Sequence, residues 1–303
     1  MALDAFLLIL SMLATGYLFA RLKLLPENAA DTLNRVVLYL CLPASVLLYL
    51  PRLHPDWKLS GLMLIPWALA GFVFLLLSLL KKPCGWRRDE YAALLLCVML
   101  GNTGFVGYPM IRALLGEAAL GYAVIYDQFG TFLLLTSVGL YLCAHFGGDA
   151  MPGFKTMILR ILRFPPALAL IAGLTVMPLD PPEWIRHTLT SLSDAMLPLV
   201  MLAVGFSLRF TLPMAELRAL TAGLAVKLLV MPLVAWGMAW ALGLHGDLLR
   251  VAVLESAMPA MITAAVLAIA HNLAPRLAAA LTGYGILCAM LTLPFWNWAL
   301  TGV

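Results

Sequence analysis

Gly101-Asn102-Thr103-Gly104-Phe105-Val106-Gly107-Tyr108-Pro109 interrupts an apolar run near its middle. Three glycines, an asparagine and a proline weaken an α-helix locally and free backbone N–H and C=O groups. What that break means depends on the solvent around it. Hydrophobic residues make up 63% of the 303-residue chain and charged residues 11%. Soluble domains run near ~45–50% and ~25%. A water-soluble globule this apolar would have nowhere but its surface to put the excess. The composition therefore excludes an ordinary cytosolic enzyme, a disordered chain and a nucleic-acid-binding protein, and predicts an integral membrane protein. In hydrocarbon the freed backbone groups need neighbouring helices, water or a ligand. Close helix packing would account for the glycines, but it requires neither Asn102 nor Pro109 at the same level. The stretch reads as a broken helix lining a site.

Working outward, segments of roughly 20 apolar residues, the length that spans a bilayer core, fall near 4–21, 31–50, 61–80, 91–115, 121–145, 156–177, 188–209, 217–243, 247–270 and 276–300. The prediction is an all-α integral membrane protein with ten transmembrane helices. Its N-terminus lacks a basic region or small-residue cleavage site and reads as the first retained helix. Of the 19 lysines and arginines, 13 fall on one side of this alternation and 5 on the other, with Lys227 inside a span. That bias puts the basic side in the cytoplasm and both termini outside.

Ten helices divide into five plus five: a first repeat over 1–146, a linker over 147–154 and a second repeat over 155–303. An odd number per half makes the halves inverted. Pro43 and Pro198 stand 155 residues apart, and Pro109 and Pro259 stand 150 apart.

The counterpart of the first break is Glu255-Ser256-Ala257-Met258-Pro259-Ala260 in the second half. A carboxylate inside a span is expensive unless it faces a cavity, a partner or an ion. Two interrupted helices at corresponding positions of two halves point to a transport site at the midplane. Other intramembrane polar groups are few: Asp127, Gln128 and Thr131 in the fifth span, Asp194 in the seventh and Lys227 deep in the eighth. Lys227 would either pair with a carboxylate or help neutralise an anionic substrate. The substrate site is predicted at Asn102, Thr103, Gly104, Pro109, Pro259, Ala260 and Lys227. Asn102, Thr103 and the amides of the following half-helix would bind a carboxylate. Ion coupling is predicted at Glu255, Asp127, Gln128, Thr131 and Asp194, with Glu255 a sodium ligand or a proton carrier. No cofactor is expected beyond Na+ or H+. The five cysteines show neither metal spacing nor a disulfide framework.

The run at 101–109 resembles the fourth-helix motif of the bacterial auxin efflux carrier family, which includes malonate- and malate-transporter-like members. Lys227-Leu-Leu-Val-Met-Pro232 and Glu255-Ser-Ala-Met-Pro259 are similar to that family's eighth and ninth helices. The resemblance implies two inverted five-helix repeats with broken, crossing fourth and ninth helices. It also implies scaffold and transport domains built from helices of both repeats, often in a homodimer, and small carboxylates as substrates. No Asn stands beside Pro259, where plant relatives carry one.

The resulting expectation is a secondary transporter of small organic anions, multi-pass in lipid of a bacterial inner membrane, coupled to Na+ or H+ or working as a uniporter. A channel-like or ligand-sensing protein of the same fold is the alternative. An intramembrane aspartyl protease is the remote one: Tyr126-Asp127 and Pro166-Ala167-Leu168 match parts of such a pattern, but Gly148-Asp149 lies in a connection. Two aspartates outside one dry site cannot share a proton.

Overall fold

The computed structural model describes residues 2–53, 56–148, 155, 159, 162–208 and 214–302. The expected linker at 147–154 lies mostly outside them, as do Asp149 and much of the start of the sixth predicted span. The described residues form helices: α1 (Ala2–Leu22), α2 (Ala29–Tyr49), α3 (Lys58–Lys81), α4 (Arg88–Met99), α5 (Tyr108–Leu115), α6 (Glu117–Gly147), α7 (Pro165–Thr175), α8 (Glu183–Ser207), α9 (Met214–Ala241), α10 (Asp247–Ser256), α11 (Ile262–Ala270) and α12 (Pro275–Ala299). Six of these, α2, α3, α6, α8, α9 and α12, are long and apolar enough to cross a membrane. The chain is a multi-pass membrane protein. The helices α4, α5, α7, α10 and α11 are shorter, and the predicted spans at 91–115 and 247–270 are each split in two.

Contacts divide the described residues into two units. The first draws on 2–53, 104–124 and 162–208, the second on 56–103, 125–148, 155, 159 and 214–302. In the first unit, α1 packs on the second half of α8 with two glycines at the contact. A Cβ on Gly16 would overlap the Leu202 carbonyl oxygen and lie 2.8 Å from the Phe206 amide, and one on Gly205 would overlap the Leu13 carbonyl. Each backbone fills the place of the other's missing side chain, the closest approach two helices make.

Several helices widen locally into π-turns. Val37–Cys41 precedes Pro43, Thr103–Gly107 precedes Pro109 and Val226–Val230 precedes Pro232. A proline ring clashes with the carbonyl four residues before it and removes one donor, so the helix relaxes to a wider turn. Behind Pro232 the freed carbonyl of Leu228 accepts a hydrogen bond from the Trp296 indole at 2.8 Å. The π-turn Asp127–Thr131 has no such proline. There Pro66 of α3 fills the space over Gly130, and the Trp67 indole donates to the Phe129 carbonyl at 2.9 Å.

The two splits satisfy each other within the second unit. Leu100, Gly101 and Asn102 leave the helix in extended conformation after α4, as do Pro259–Met261 before α11. The Asn102 amide donates to the Pro259 carbonyl at 2.8 Å and the Met261 amide to the Leu100 carbonyl at 2.9 Å, making an antiparallel bridge between Gly101 and Ala260. Polar backbone that would be orphaned in lipid is thereby paired.

Candidate functional site

The paired breaks hold the densest set of buried polar side chains in the second unit. Asn102, Thr103, Asp127, Gln128, Thr131, Lys227, Glu255 and Ser256 are all buried, and Asn102 and Glu255 are 0% exposed. Glu255 precedes the last residue of α10, which places its carboxylate in the interior rather than at a surface. The Thr103 hydroxyl donates to Asp127, whose second oxygen accepts from Gln128 Nε2 at 2.9 Å. Lys227 Nζ approaches the Ser256 carbonyl at 3.4 Å and Met231 Sδ at 3.7 Å. A cavity of about 10 Å³, room for about one water, is lined by Gly101, Thr103, Thr131, Lys227 and Glu255 among others.

Several of these polar atoms have no partner. Both side-chain atoms of Asn102, both carboxylate oxygens of Glu255 and Gln128 Oε1 lack a hydrogen bond among the described residues. Buried polar groups in folded proteins are ordinarily satisfied, and unsatisfied ones mark strain, function or a missing small partner. Unpartnered buried groups of these kinds can receive an anion, a cation or water.

The sequence expected Thr103 and the amides after the break to be free for a substrate. Instead the Asn102 amide is committed to Pro259 and the Thr103 hydroxyl to Asp127. Among the described residues the Asn102 side-chain amide has no hydrogen-bond partner, whereas Lys227 Nζ donates to the Ser256 carbonyl and to Met231 Sδ. The break closes on its counterpart because two extended strands of backbone are each other's nearest hydrogen-bonding surface.

Gly104, Pro109 and Asp194 belong to the first unit. Asp194 is half exposed and paired with Arg112, which also donates to Glu117 at 2.6 Å. Arg112 and Asp194 line a cavity of about 810 Å³ together with Ser45, Tyr108, Pro109 and Ser193, and the two serine hydroxyls are hydrogen-bonded at 2.9 Å. This volume lies within the range of small-molecule pockets. The sequence places Arg112 among the loop cations and Ser193 beside Asp194 in the seventh span, and it does not single out Ser45. The available signal was position: Arg112 stands three residues after Pro109, and Ser45 two after Pro43.

Comparison with known proteins accords with this picture. Residues 1–147 and 153–297 match the family described as "Membrane transport protein". An uncharacterized transporter of Methanothermobacter thermautotrophicus is 31% identical over 301 residues, 97% of each chain. One of Methanocaldococcus jannaschii is 27% identical over 310 residues, 98% of each. Auxin efflux carrier component 3 of Arabidopsis thaliana is 34% identical over 111 residues, 36% of this chain and 17% of the plant protein. With its long apolar helices and a match along nearly its whole length, the chain belongs to the auxin efflux carrier family of membrane transporters, and it is not an enzyme.

Proposed function

We propose that this protein is a secondary transporter moving small organic anions by alternating access. The carrying observation is the pair of mutually satisfied helix breaks with the Asn102 side chain, Lys227 and Glu255 buried beside them and Asn102 and Glu255 unpartnered among the described residues. A packing device would bury apolar groups there; unsatisfied donors and charges suit a ligand that comes and goes. Asn102 and Lys227 face the carboxylate of the substrate, with Thr103, Pro259 and Ala260 holding the break in shape. Gly104 and Pro109 start and redirect the half-helix that follows. Glu255, with Asp127, Gln128 and Thr131, serves the coupling cation, Na+ or H+, while Asp194 stays with Arg112.

The six long helices, α1, the shorter α7 and the two broken pairs supply ten passages in two inverted repeats over 1–146 and 155–303. Their termini are periplasmic in a bacterial inner membrane, and the working form is a homodimer. Auxin is not carried over, because the likeness to the plant carrier covers 36% of this chain.

Counterflow in proteoliposomes tests the function: labelled malonate- or malate-like carboxylates should accumulate against unlabelled substrate inside. A folded protein that exchanges none of them overturns the reading. Topology has its own test. A reporter active only in the cytoplasm, fused after Val303, should stay silent, and strong activity from a stable fusion would reverse the orientation.

A further inference from the structure

Lys227 is buried on the π-turn Val226–Val230, and its Nζ stands over the carbonyl of Ser256, the last residue of α10. Carbonyls at a helix C-terminus have no intrahelical donor and carry the negative end of the helix dipole. Broken helices in membrane transporters present such carbonyls to a coupling cation. Here an ammonium already stands there. Gly101 makes room for it, since a Cβ at that position would lie 3.1 Å from Nζ.

The other titratable groups around this point are Glu255 on α10, with Asp127 close enough to influence it, and Tyr126 on α6; α3 and α4 contribute Pro66, Leu69 and Met99, which carry no charge. Among the described residues the charged groups lining this cavity are thus Lys227 and Glu255, with no second cation. An alkali ion entering a cavity of about 10 Å³ would lie against the ammonium with almost no water to screen the repulsion.

We propose that Lys227 is a tethered cation: its ammonium holds the place at the end of α10 that an alkali ion would take, so Glu255 is compensated without sodium and the proton is left as the coupling ion. This rests on the transport reading and decides between its two coupling ions.

Purified full-length protein separates the two. Counterflow of carboxylates tests transport itself. The cation is then tested, without substrate, by thermal unfolding in NaCl against choline chloride at fixed pH and ionic strength. Wild type should show no sodium-specific shift, and its counterflow should not change when choline replaces sodium. Lys227→Ala, and Lys227→Met as a second variant that keeps bulk against Met231, should each acquire a sodium-specific rise of about 3 °C or more, the size expected when a vacated site binds its ion. Lys227→Arg should stay insensitive. Sodium stimulation or stabilisation of wild type overturns the proposal, whatever the variants do. Folded Ala and Met variants that gain no sodium response overturn it too. Absence of counterflow with the sodium shifts as expected would defeat the substrate reading and leave the tethered cation standing.

Discussion

Two charged clusters in this molecule are built from similar residues and solve opposite problems. Around Arg112 the charges are paired, with Asp194 and Glu117 as partners, and the side chains are 30–55% exposed. Around Lys227 and Glu255 the charges are buried, and no ion pair joins them among the described residues. Water and pairing make the first cluster cheap to keep. The second is costly, since buried charge without matched hydrogen bonds loses more hydration than it regains. Cost without structural return is what a functional cluster looks like.

The largest expected effect comes from removing that cost. A Lys227→Met/Glu255→Leu double variant should unfold at higher temperature than wild type, with a gain of about 1–4 kcal/mol, as replacing buried charged groups by apolar residues of similar volume has given elsewhere. Counterflow should be lost. A double variant that is destabilised and still transports would mean the buried cluster is structural, and the contrast with Arg112 would collapse.

Next is Asn102→Ala. Removing two buried polar atoms that lack partners should leave stability unchanged or raise it by about 1 kcal/mol, while substrate binding weakens by about tenfold or more, the worth of one hydrogen bond to a charged ligand. Titration calorimetry with a counterflow substrate reads the second quantity. An unaltered affinity would take Asn102 out of the site.

Arg112→Ala tests the other side of the comparison. An exposed pair of this kind should cost below about 1 kcal/mol in thermal or denaturant unfolding. A loss of several kcal/mol would place Arg112 with Lys227 rather than against it.

The smallest effect belongs to Asp89, ahead of the predicted span at 91–115. The Arg87 guanidinium, hydrogen-bonded to it at 3.1 Å, holds its carboxyl below the usual carboxylate range. A folded value below the unfolded one stabilises at pH above the unfolded value, and the contribution disappears as pH falls through the lowered folded value. Both side chains are well exposed, so Asp89→Asn should lower stability by a few tenths of a kcal/mol at most at neutral pH. The difference from wild type should close in acid, and a gap that widens there would reverse the sign.

Much of this was legible in the residues. Gly101 to Pro109 declares a break because glycine, asparagine and proline have no local reason to cluster in an apolar run, and Glu255 declares its counterpart because a carboxylate there has no cheap alternative. Local composition carries both signals. What it does not carry is pairing at a distance. Nothing near Asn102 says that its amide meets the Pro259 carbonyl, 157 residues on, or that Thr103 spends its hydroxyl on Asp127. Arg112 and Asp194 were read singly, as a loop cation and a lone intramembrane acid. Their cavity exists only once α5 and α8 have met. The π-turns fall between: three could be placed from the prolines that follow them, and Asp127–Thr131 and Leu135–Gly139 could not.

The indoles of Trp67 and Trp296 have a practical consequence. Each donates to a carbonyl exposed by a π-turn, and those two turns carry Asp127 and Lys227. Any step that shifts either turn must stretch or break an indole hydrogen bond, and an indole's emission colour follows its bonding and polarity. The molecule therefore contains its own chromophores at the two places where charge is held. With the other six of its eight tryptophans replaced by phenylalanine, fluorescence becomes a label-free clock for the conformational cycle, read from the turns that carry the charged residues.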